Sequence, residues 1–278
     1  MNRLLVFGLS GQVGDALLAL LRDSGYSVTA VSRQKKNDEK NIEWRQSGFA
    51  DFEPREKNYH AIISLGPLDA FSTWLTSSVC SAKKIIALSS TSIVTKKNSP
   101  DSNERNLADV LEQSEQLLIR HSEKINAGLI VLRPTLIYGI GRDQSLSRWL
   151  NVAKRLKFVV LPSNAGGLRQ PVHVADVAYA VFSALKLENT SRLILDLPGG
   201  EVLAFDEMLL RSLRARFPGT KVLRIPDFIF RILIELASFT SVGRGLGPGF
   251  FARLGEDWVF DVIPARTMLG YDPRPFSP

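Results

Sequence analysis

The sequence VFGLSGQVGDALLALL, residues 6–21, carries the strongest structural signal in this chain. It spaces Gly8, Gly11 and Gly14 as G-x-x-G-x-x-G, after the strand-like RLLVF (3–7) and at the start of a helical run. In that context the first glycine permits a tight turn, the second lets a pyrophosphate approach the backbone, and the third lets helix and strand pack closely. The helix N terminus adds free N–H groups and the positive end of its dipole. We predict a turn that binds a dinucleotide; a tight turn without a ligand is the alternative.

Short strand-like runs alternate with helical stretches through most of the chain. The runs IIALS (85–89) and LIVLR (129–133) are largely apolar, which is typical of strands covered on both faces. Strand, helix and strand in this order predict an α/β fold, a Rossmann-like doubly wound parallel sheet, with a smaller C-terminal lobe. We expect residues 1–141 and about 171–197 to form the dinucleotide-binding domain, and about 142–170 with 198–278 to form a substrate-binding lobe.

Composition excludes several classes of protein. The chain has 278 residues with 35 Lys and Arg against 28 Asp and Glu, and the basic excess is spread thinly, which argues against a nucleic-acid binder. One cysteine and three histidines give no disulfide framework, no Cys-based zinc site and no expected metal. We find no secretory signal, and the most apolar late stretch, FIFRILIELA (228–237), is too short and too charged to span a bilayer. We therefore expect a cytoplasmic protein.

The end of the second strand bears on which dinucleotide is bound. NAD-binding proteins usually carry an acidic residue near this point to hold the ribose 2′-hydroxyl. This chain reads Val31-Ser32-Arg33, with Lys35 and Lys36 behind. Because a guanidinium can pair bidentately with a 2′-phosphate, we predict NADP, with NAD less favoured. The alternative is that these basic residues form a solvated turn and another residue sets the preference.

Four further motifs join the glycine triplet in one family resemblance. They are SSTSIV (89–94), LRPTLIYGIG (132–141), LRQPVHVADVAYAV (168–181) and ARTMLGYDPRPF (265–276). Together, and in this order over nearly the whole chain, they resemble the extended and atypical short-chain dehydrogenase/reductases, specifically the NAD(P)-dependent epimerase/dehydratase group that acts on nucleotide sugars. The resemblance implies hydride transfer between a nicotinamide and a carbonyl or alcohol of a nucleotide sugar or another phosphate-bearing substrate.

The resemblance also implies roles for individual residues. Thr91 stands where the family keeps a Ser or Thr that holds the reacting oxygen, and Arg169 matches an arginine that binds the substrate's diphosphate. His173 opens a motif that is usually structural, so we expect it to pack or to cap the next helix. The residues expected to contact the cofactor are Gly8, Ser10, Gly11, Gln12, Val13, Gly14, Arg33, Leu65, Gly66, Ser89, Ser90, Pro134 and Thr135.

One departure from the family concerns catalysis. The family's acid/base pair is Tyr-x-x-x-Lys, in which the lysine lowers the pKa of the tyrosine. Aligning the helix through Glu115 places Leu107 and Leu111 at these positions, and no tyrosine in the chain is followed four residues later by a lysine. A leucine cannot donate a proton, so Tyr138 and Asp143 are the candidates to act with Thr91. The structural interpretation of Leu107, Val110, Leu111 and Leu118 is an apolar helix face packed on the sheet.

Two later segments have alternative interpretations. Residues 142–169 hold six basic residues and one acidic residue, which favours an anionic substrate bound by Arg142 and Arg169, or a solvated basic helix face. In DFIFRILIELASF (227–239), apolar side chains recur at 3–4 residue spacing, namely Phe228, Ile232, Leu236 and Phe239. We predict that they pack in the core of the smaller lobe; an exposed dimer or membrane-surface helix is the alternative.

Two functions follow from these observations. The first is an NADP-dependent oxidoreductase or epimerase with a degenerate active site and a small-molecule substrate, possibly a nucleotide sugar. The alternative is a non-catalytic NADP-binding module, either a redox sensor or an assembly subunit. A homodimer is left open by the sequence.

Overall fold

The structure is a computed structural model that describes residues 2–139, 146–188, 190–238, 251 and 253–278. Arg142, Asp143 and Phe239 therefore lie outside the described residues. The strands are β1 (Arg3–Phe7), β2 (Ser27–Ser32), β3 (Ile42–Gln46), β4 (Asn58–Ser64), β5 (Ser81–Leu88), β6 (Gly128–Pro134), β7 (Ile137–Tyr138), β8 (Phe158–Pro162), β9 (Leu168–Arg169), β10 (Val172–His173), β11 (Arg192–Leu197), β12 (Leu203–Ala204) and β13 (Lys221–Ile225). The helices are α1 (Gln12–Arg22), α2 (Leu68–Ser77), α3 (Ser92–Thr95), α4 (Ser102–Lys124), α5 (Leu146–Leu156), α6 (Val174–Lys186), α7 (Phe205–Arg216), α8 (Asp227–Ser238) and α9 (Ile263–Leu269).

Seven strands form one sheet in the order β11-β6-β5-β4-β1-β2-β3, and every pairing in it is parallel. Side chains alternate between its faces: Leu4 and Val6 of β1 pack in one buried cluster, and Leu5 and Phe7 pack in another. Helices α1 and α6 cover the first face, while α2 and α4 cover the second. The doubly wound parallel sheet predicted from the sequence is confirmed.

The strand order reverses between β1 and β4, which are neighbours in the sheet although β2 and β3 separate them in the chain. In open α/β sheets, ligands bind outside the carboxyl ends of the strands at this switch point. The glycine-rich turn after β1 lies at this edge, so the topology places it where a ligand is expected.

A third buried cluster lies apart from the two faces of the main sheet. It is built around β8, β13, α5 and α7, with Phe230 of α8 and Phe276 near the C terminus. The boundaries given above for a dinucleotide-binding domain and a substrate-binding lobe stay a prediction. In the described part of the chain, no helix combines the length and apolar character needed to cross a bilayer.

Helix α8 differs from the expectation of core packing. Phe228, Ile232 and Leu236 have 66%, 54% and 63% of their surface exposed. Phe230 of the same helix is buried against the third cluster. The prediction that the apolar side chains at 228, 232 and 236 form the core is wrong, because the helix is apolar on more than one side and a different side faces the cluster.

Candidate dinucleotide-binding site

The turn between β1 and α1 has the geometry that the glycine spacing predicts. Gly8 has a φ of +82°, which favours glycine, and the Gly11 N–H donates to the Gly8 carbonyl at 2.9 Å. A Cβ at Gly14 would lie 2.4 Å from the Gly8 carbonyl oxygen and from backbone atoms of Leu9, so the helix and the turn are too close for any side chain there. Gln12 and Val13 are the first residues of α1, where backbone N–H groups lack intrahelical acceptors. The turn therefore fits a pyrophosphate.

The end of β4 packs directly against this turn. The Leu65 N–H donates to the Phe7 carbonyl at 2.9 Å, and a Cβ at Gly8 would lie 3.0 Å from the Gly66 nitrogen. Two sequence-predicted residues, Leu65 and Gly66, are thus adjacent to the glycine turn across the switch point of the sheet.

The end of β2 lies beside the same turn. The hydroxyl oxygens of Ser10 and Ser32 are 3.1 Å apart, which links the turn to the last residue of the strand. Ser32 is buried, whereas Arg33, Lys35 and Lys36 are exposed. The strand therefore ends on the uncharged Ser32, and the accessible guanidinium of Arg33 follows. The end of β2 has no carboxylate that would repel a 2′-phosphate.

The predicted nicotinamide end of the site gathers at the carboxyl ends of β5 and β6. The Ser89 N–H donates to the Leu132 carbonyl at 2.8 Å, and the Thr91 N–H donates to the Pro134 carbonyl at 3.2 Å. Ser90 lies between them, with its hydroxyl 3.0 Å from that of Ser92. The Thr91 hydroxyl donates to the Pro134 carbonyl at 3.4 Å and is buried, while Thr135 bonds the Gln170 carbonyl.

A buried polar cluster at this edge escaped the sequence analysis. The carboxylate of Glu115, on α4, accepts hydrogen bonds from the Ser89 hydroxyl at 2.6 Å and from Arg133 Nε at 2.9 Å. The hydrogen bond from Arg133 to Glu115 raises the pKa of the guanidinium. Asp196 faces Arg133 across the β11–β6 pairing, and burial raises the pKa of its carboxyl. Two sequence signals could have revealed this cluster: an acidic residue on a helix that faces the sheet, and an arginine within an apolar strand.

Helix α4 carries the leucines that the sequence alignment through Glu115 sets at the positions of the family's acid/base pair. Leu118 is fully buried, Val110 and Leu111 are half-buried, and Leu107 is 40% exposed. The predicted packing on the sheet is confirmed for Leu118 and Leu111, which pack in the cluster on its second face. It is wrong for Leu107, which lies near the start of the helix where less of the fold covers it. Neither Leu107 nor Leu111 can transfer a proton.

Tyr138 is held by the C-terminal segment. Its hydroxyl donates to the Pro275 carbonyl at 3.3 Å and accepts from the Ser277 N–H at 3.1 Å, and its ring packs edge-on against Phe276. Only 2% of the residue is exposed, and burial raises the pKa of the phenol. A buried hydroxyl with both partners supplied by the backbone is poorly suited to exchange a proton with a substrate. The predicted catalytic role of Tyr138 gains no support from this placement.

Arg169 is also turned inward. Its guanidinium donates to the carbonyls of Leu168 at 2.8 Å, of Glu256 at 2.5 Å and of Arg253, and it stacks 4.3 Å from the Trp258 ring centre. Burial lowers its pKa to about 10. These contacts fasten the C-terminal segment to β9, so the geometry favours a structural role over the predicted diphosphate contact.

His173 has the capping role expected from the sequence. It precedes α6, and its Nδ1 accepts a hydrogen bond from the Ala175 N–H at 3.2 Å. Among the described residues, no group of three or more His, Cys, Asp or Glu side chains is arranged to hold a metal ion.

Comparison with known proteins gives few sequence matches. No protein-family model matches the chain. One curated protein, the mitochondrial NADH dehydrogenase (ubiquinone) 1 alpha subcomplex subunit 9 of Dictyostelium discoideum, is 30% identical over 79 residues. That match spans 28% of this chain and only 22% of the relative.

Solved structures match almost the entire chain. The UDP-glucuronic acid 4-epimerase of Bacillus cereus, in complex with NAD, has a TM-score of 0.72 at 14% identity, over 99% of this chain and 92% of that one. The UDP-glucose 4-epimerase of Thermotoga maritima, with UDP-glucose, has a TM-score of 0.67 at 14% identity, over 98% and 94%. An NAD-dependent NDP-hexosamine 5,6-dehydratase of tunicamycin biosynthesis has a TM-score of 0.63 at 16% identity, over 81% and 84%. This chain therefore has the fold of the nucleotide-sugar epimerases and dehydratases, which its motifs resemble.

Proposed function

We infer that this chain binds NADP with its pyrophosphate on the turn at Gly8, Gly11 and Gly14. The observation that carries the proposal is the juxtaposition at the switch point: a glycine turn that admits no side chain at Gly14, joined through Ser10 and Ser32 to an exposed Arg33. The dinucleotides named with the solved structures of this fold are NAD, and that likeness supports a nicotinamide dinucleotide here. The choice of NADP rests on Arg33 and on the lack of an acidic residue at Ser32.

Each part of the site has a role in this proposal. The N–H groups at the start of α1 bind the pyrophosphate, and the Arg33 guanidinium pairs with the 2′-phosphate. Leu65 and Gly66 form the wall opposite the turn. Ser89, Ser90, Pro134 and Thr135 line the nicotinamide end, where the bound ring would supply hydride chemistry.

The arrangement favours a non-catalytic NADP-binding module, a redox sensor or an assembly subunit. On the alignment through Glu115, Leu107 and Leu111 take the positions of the family's proton-transferring pair, and the Tyr138 hydroxyl is hydrogen-bonded to the backbone of the C-terminal segment. Such a module needs the dinucleotide cradle but no proton donor. A cytoplasmic location stays a prediction of this proposal, and a homodimer stays open.

An oxidoreductase or epimerase acting on a nucleotide sugar is the second candidate. It is favoured by Thr91, whose side chain sits at the carboxyl end of the sheet beside Pro134, and by solved structures of this fold that contain UDP-sugars. In this case Thr91 would hold the substrate oxygen, and a group outside the described residues, such as Asp143, would transfer the proton.

Charge reversal at Arg33 tests the cofactor. In Arg33→Glu, a carboxylate replaces the guanidinium, so NADP affinity should fall about 100-fold, equivalent to about 2.7 kcal/mol, while NAD affinity changes little. Calorimetric titration of both dinucleotides measures the two constants. Arg216→Glu, at an exposed position on α7, is the control for net charge. Equal loss with NADP and NAD, or no loss with either, would remove Arg33 from the 2′-phosphate site.

Turnover separates the two candidates. The binding module predicts no NADPH oxidation, followed optically, with any member of a panel of nucleotide sugars and small carbonyls, although NADPH binds. Both candidates predict that Thr91→Ala leaves NADPH affinity within about threefold, because neither gives the threonine a contact with the dinucleotide. Turnover that is abolished in a folded Thr91→Ala variant would establish the enzyme and exclude the module.

A further inference from the structure

Helix α8 presents a continuous apolar stripe to solvent. Phe228, Ile229, Ile232, Leu233 and Leu236 are all exposed, by 38% to 66% of their surface. Their spacing repeats every three to four residues, so they lie along one side of the helix. Phe230 turns towards the third buried cluster, away from them. We call these five exposed residues the outer stripe.

The two-stranded sheet that α8 contacts also exposes apolar side chains. Phe158 of β8 pairs with Lys221 of β13, and Leu223 follows two residues later, so the three side chains share one face of this two-stranded sheet. All three are exposed, and so is Leu156 at the end of α5. Half of the sixteen large hydrophobic side chains exposed in the described residues thus lie in residues 156–158 and 223–236, which makes chance scatter a poor explanation.

Basic side chains are interleaved with these apolar ones. Leu156 is flanked by Arg155 and Lys157, with Lys154 two residues before it, and all are exposed. Residues 154–158 and 221–236 together hold six basic residues and two acidic ones, Asp227 and Glu235. One of the six, Arg224, pairs with Asp206 of α7, so five basic residues remain against the two acidic ones. The Asp227 carboxylate is engaged by the Asn164 N–H at 3.1 Å.

Charge distinguishes the partners that could cover this surface. A second copy would bring two basic surfaces together, and their repulsion opposes a symmetric dimer. A nucleic acid would match the charge but would leave the aliphatic stripe without an apolar contact. The surface of a membrane that contains anionic lipid matches both features, because acyl chains accept the apolar side chains while headgroups attract Lys and Arg.

We propose that α8 and the outer face of the β8–β13 sheet dock this protein on an anionic membrane surface. The helix lies in the plane of the interface with its outer stripe among the acyl chains, and Lys154, Arg155, Lys157 and Lys221 contact the headgroups. The helix does not span the bilayer; it has twelve residues. The proposal is independent of the cofactor and of catalysis.

Vesicle flotation tests the docking surface on the full chain. Vesicles of phosphatidylcholine with phosphatidylglycerol should carry the protein, and pure phosphatidylcholine vesicles or high salt should reduce the bound fraction at least about tenfold. Ile232→Ser combined with Leu236→Ser should abolish binding, and Lys154→Glu combined with Lys221→Glu should weaken it at least about tenfold. Val79→Ser combined with Val202→Ser is the matched control, since these valines are 85% and 46% exposed elsewhere in the fold, and it should bind as the parent does.

Three results would overturn the proposal. The first is no flotation with anionic vesicles. The second is flotation that survives the Ile232→Ser, Leu236→Ser change in a variant with unchanged circular dichroism. The third is a parent protein that binds no vesicles but forms a concentration-dependent dimer in sedimentation velocity, with the dimer lost in the double variant. That result would assign the surface to a second copy.

Discussion

Glu115→Leu is expected to lower the free energy of unfolding by about 3–5 kcal/mol, because it leaves a largely buried charge without its partner. Glu115 is buried, and its carboxylate accepts hydrogen bonds from Ser89 and Arg133. The Arg133 side chain is only 20% exposed, so water can replace few of the hydrogen bonds that Glu115 accepts from it. Combining Glu115→Leu with Arg133→Met should recover part of the stability, because it removes the unpartnered guanidinium but leaves the Asp196 carboxyl without the charge that faces it. Urea unfolding at neutral pH measures all of these variants.

An exposed ion pair provides the matched control for Glu115. Glu123, on the same helix, pairs with Arg192 at 3.4 Å, but the two side chains are 65% and 55% exposed. Glu123→Leu should therefore change stability by less than about 1 kcal/mol. If the two leucine variants are equally stable, Glu115 does not hold the ends of β5 and β6 together.

Gly14→Ala is expected to destabilise the fold by about 1–3 kcal/mol and to abolish dinucleotide binding. A Cβ there would lie 2.4 Å from backbone atoms of Gly8 and Leu9, which cannot move without opening the turn. Gly219→Ala is the matched control, because a Cβ at Gly219 meets no atom within 4 Å. Thermal unfolding together with a dinucleotide titration measures both effects. A Gly14→Ala variant that unfolds and binds like Gly219→Ala would show that the close approach is not required.

If Gly14→Ala does not fold, Gly11→Ala tests dinucleotide binding in a variant that keeps the fold. A Cβ at Gly11 meets only the Gly8 carbonyl oxygen, at 3.2 Å, so we expect a folded protein. The added methyl lies where the pyrophosphate should approach the backbone, and affinity should fall at least about tenfold. Unchanged affinity would place the phosphates elsewhere.

The fold was predictable because its signals are local. The glycine spacing fixes the turn after β1, and the apolar runs at β5 and β6 identify strands that are covered on both faces. The burial of these two strands can be predicted without the rest of the chain, because the residue pattern of a strand indicates whether one or both of its faces are covered. The gathering of Gly8, Leu65 and Gly66 then follows from the topology of a parallel sheet.

The contacts of Tyr138 and Arg169 were not predictable in this way. Their partners, Pro275, Ser277 and Glu256, lie about 90–140 residues away along the chain and present backbone groups, which leave no mark on residue type. The same holds for α8, because an apolar pattern shows that a helix has apolar sides but does not show which of them packs against the core.

Isothermal titration of the ligand-stripped protein with NADP and with NAD tests the dinucleotide site on which both the module and the enzyme depend. One saturable site with tighter binding of NADP than of NAD is expected from the turn at Gly8 and the guanidinium of Arg33. Absence of heat with both dinucleotides, confirmed by equilibrium dialysis, would contradict the proposed binding site, and with it both the module and the enzyme.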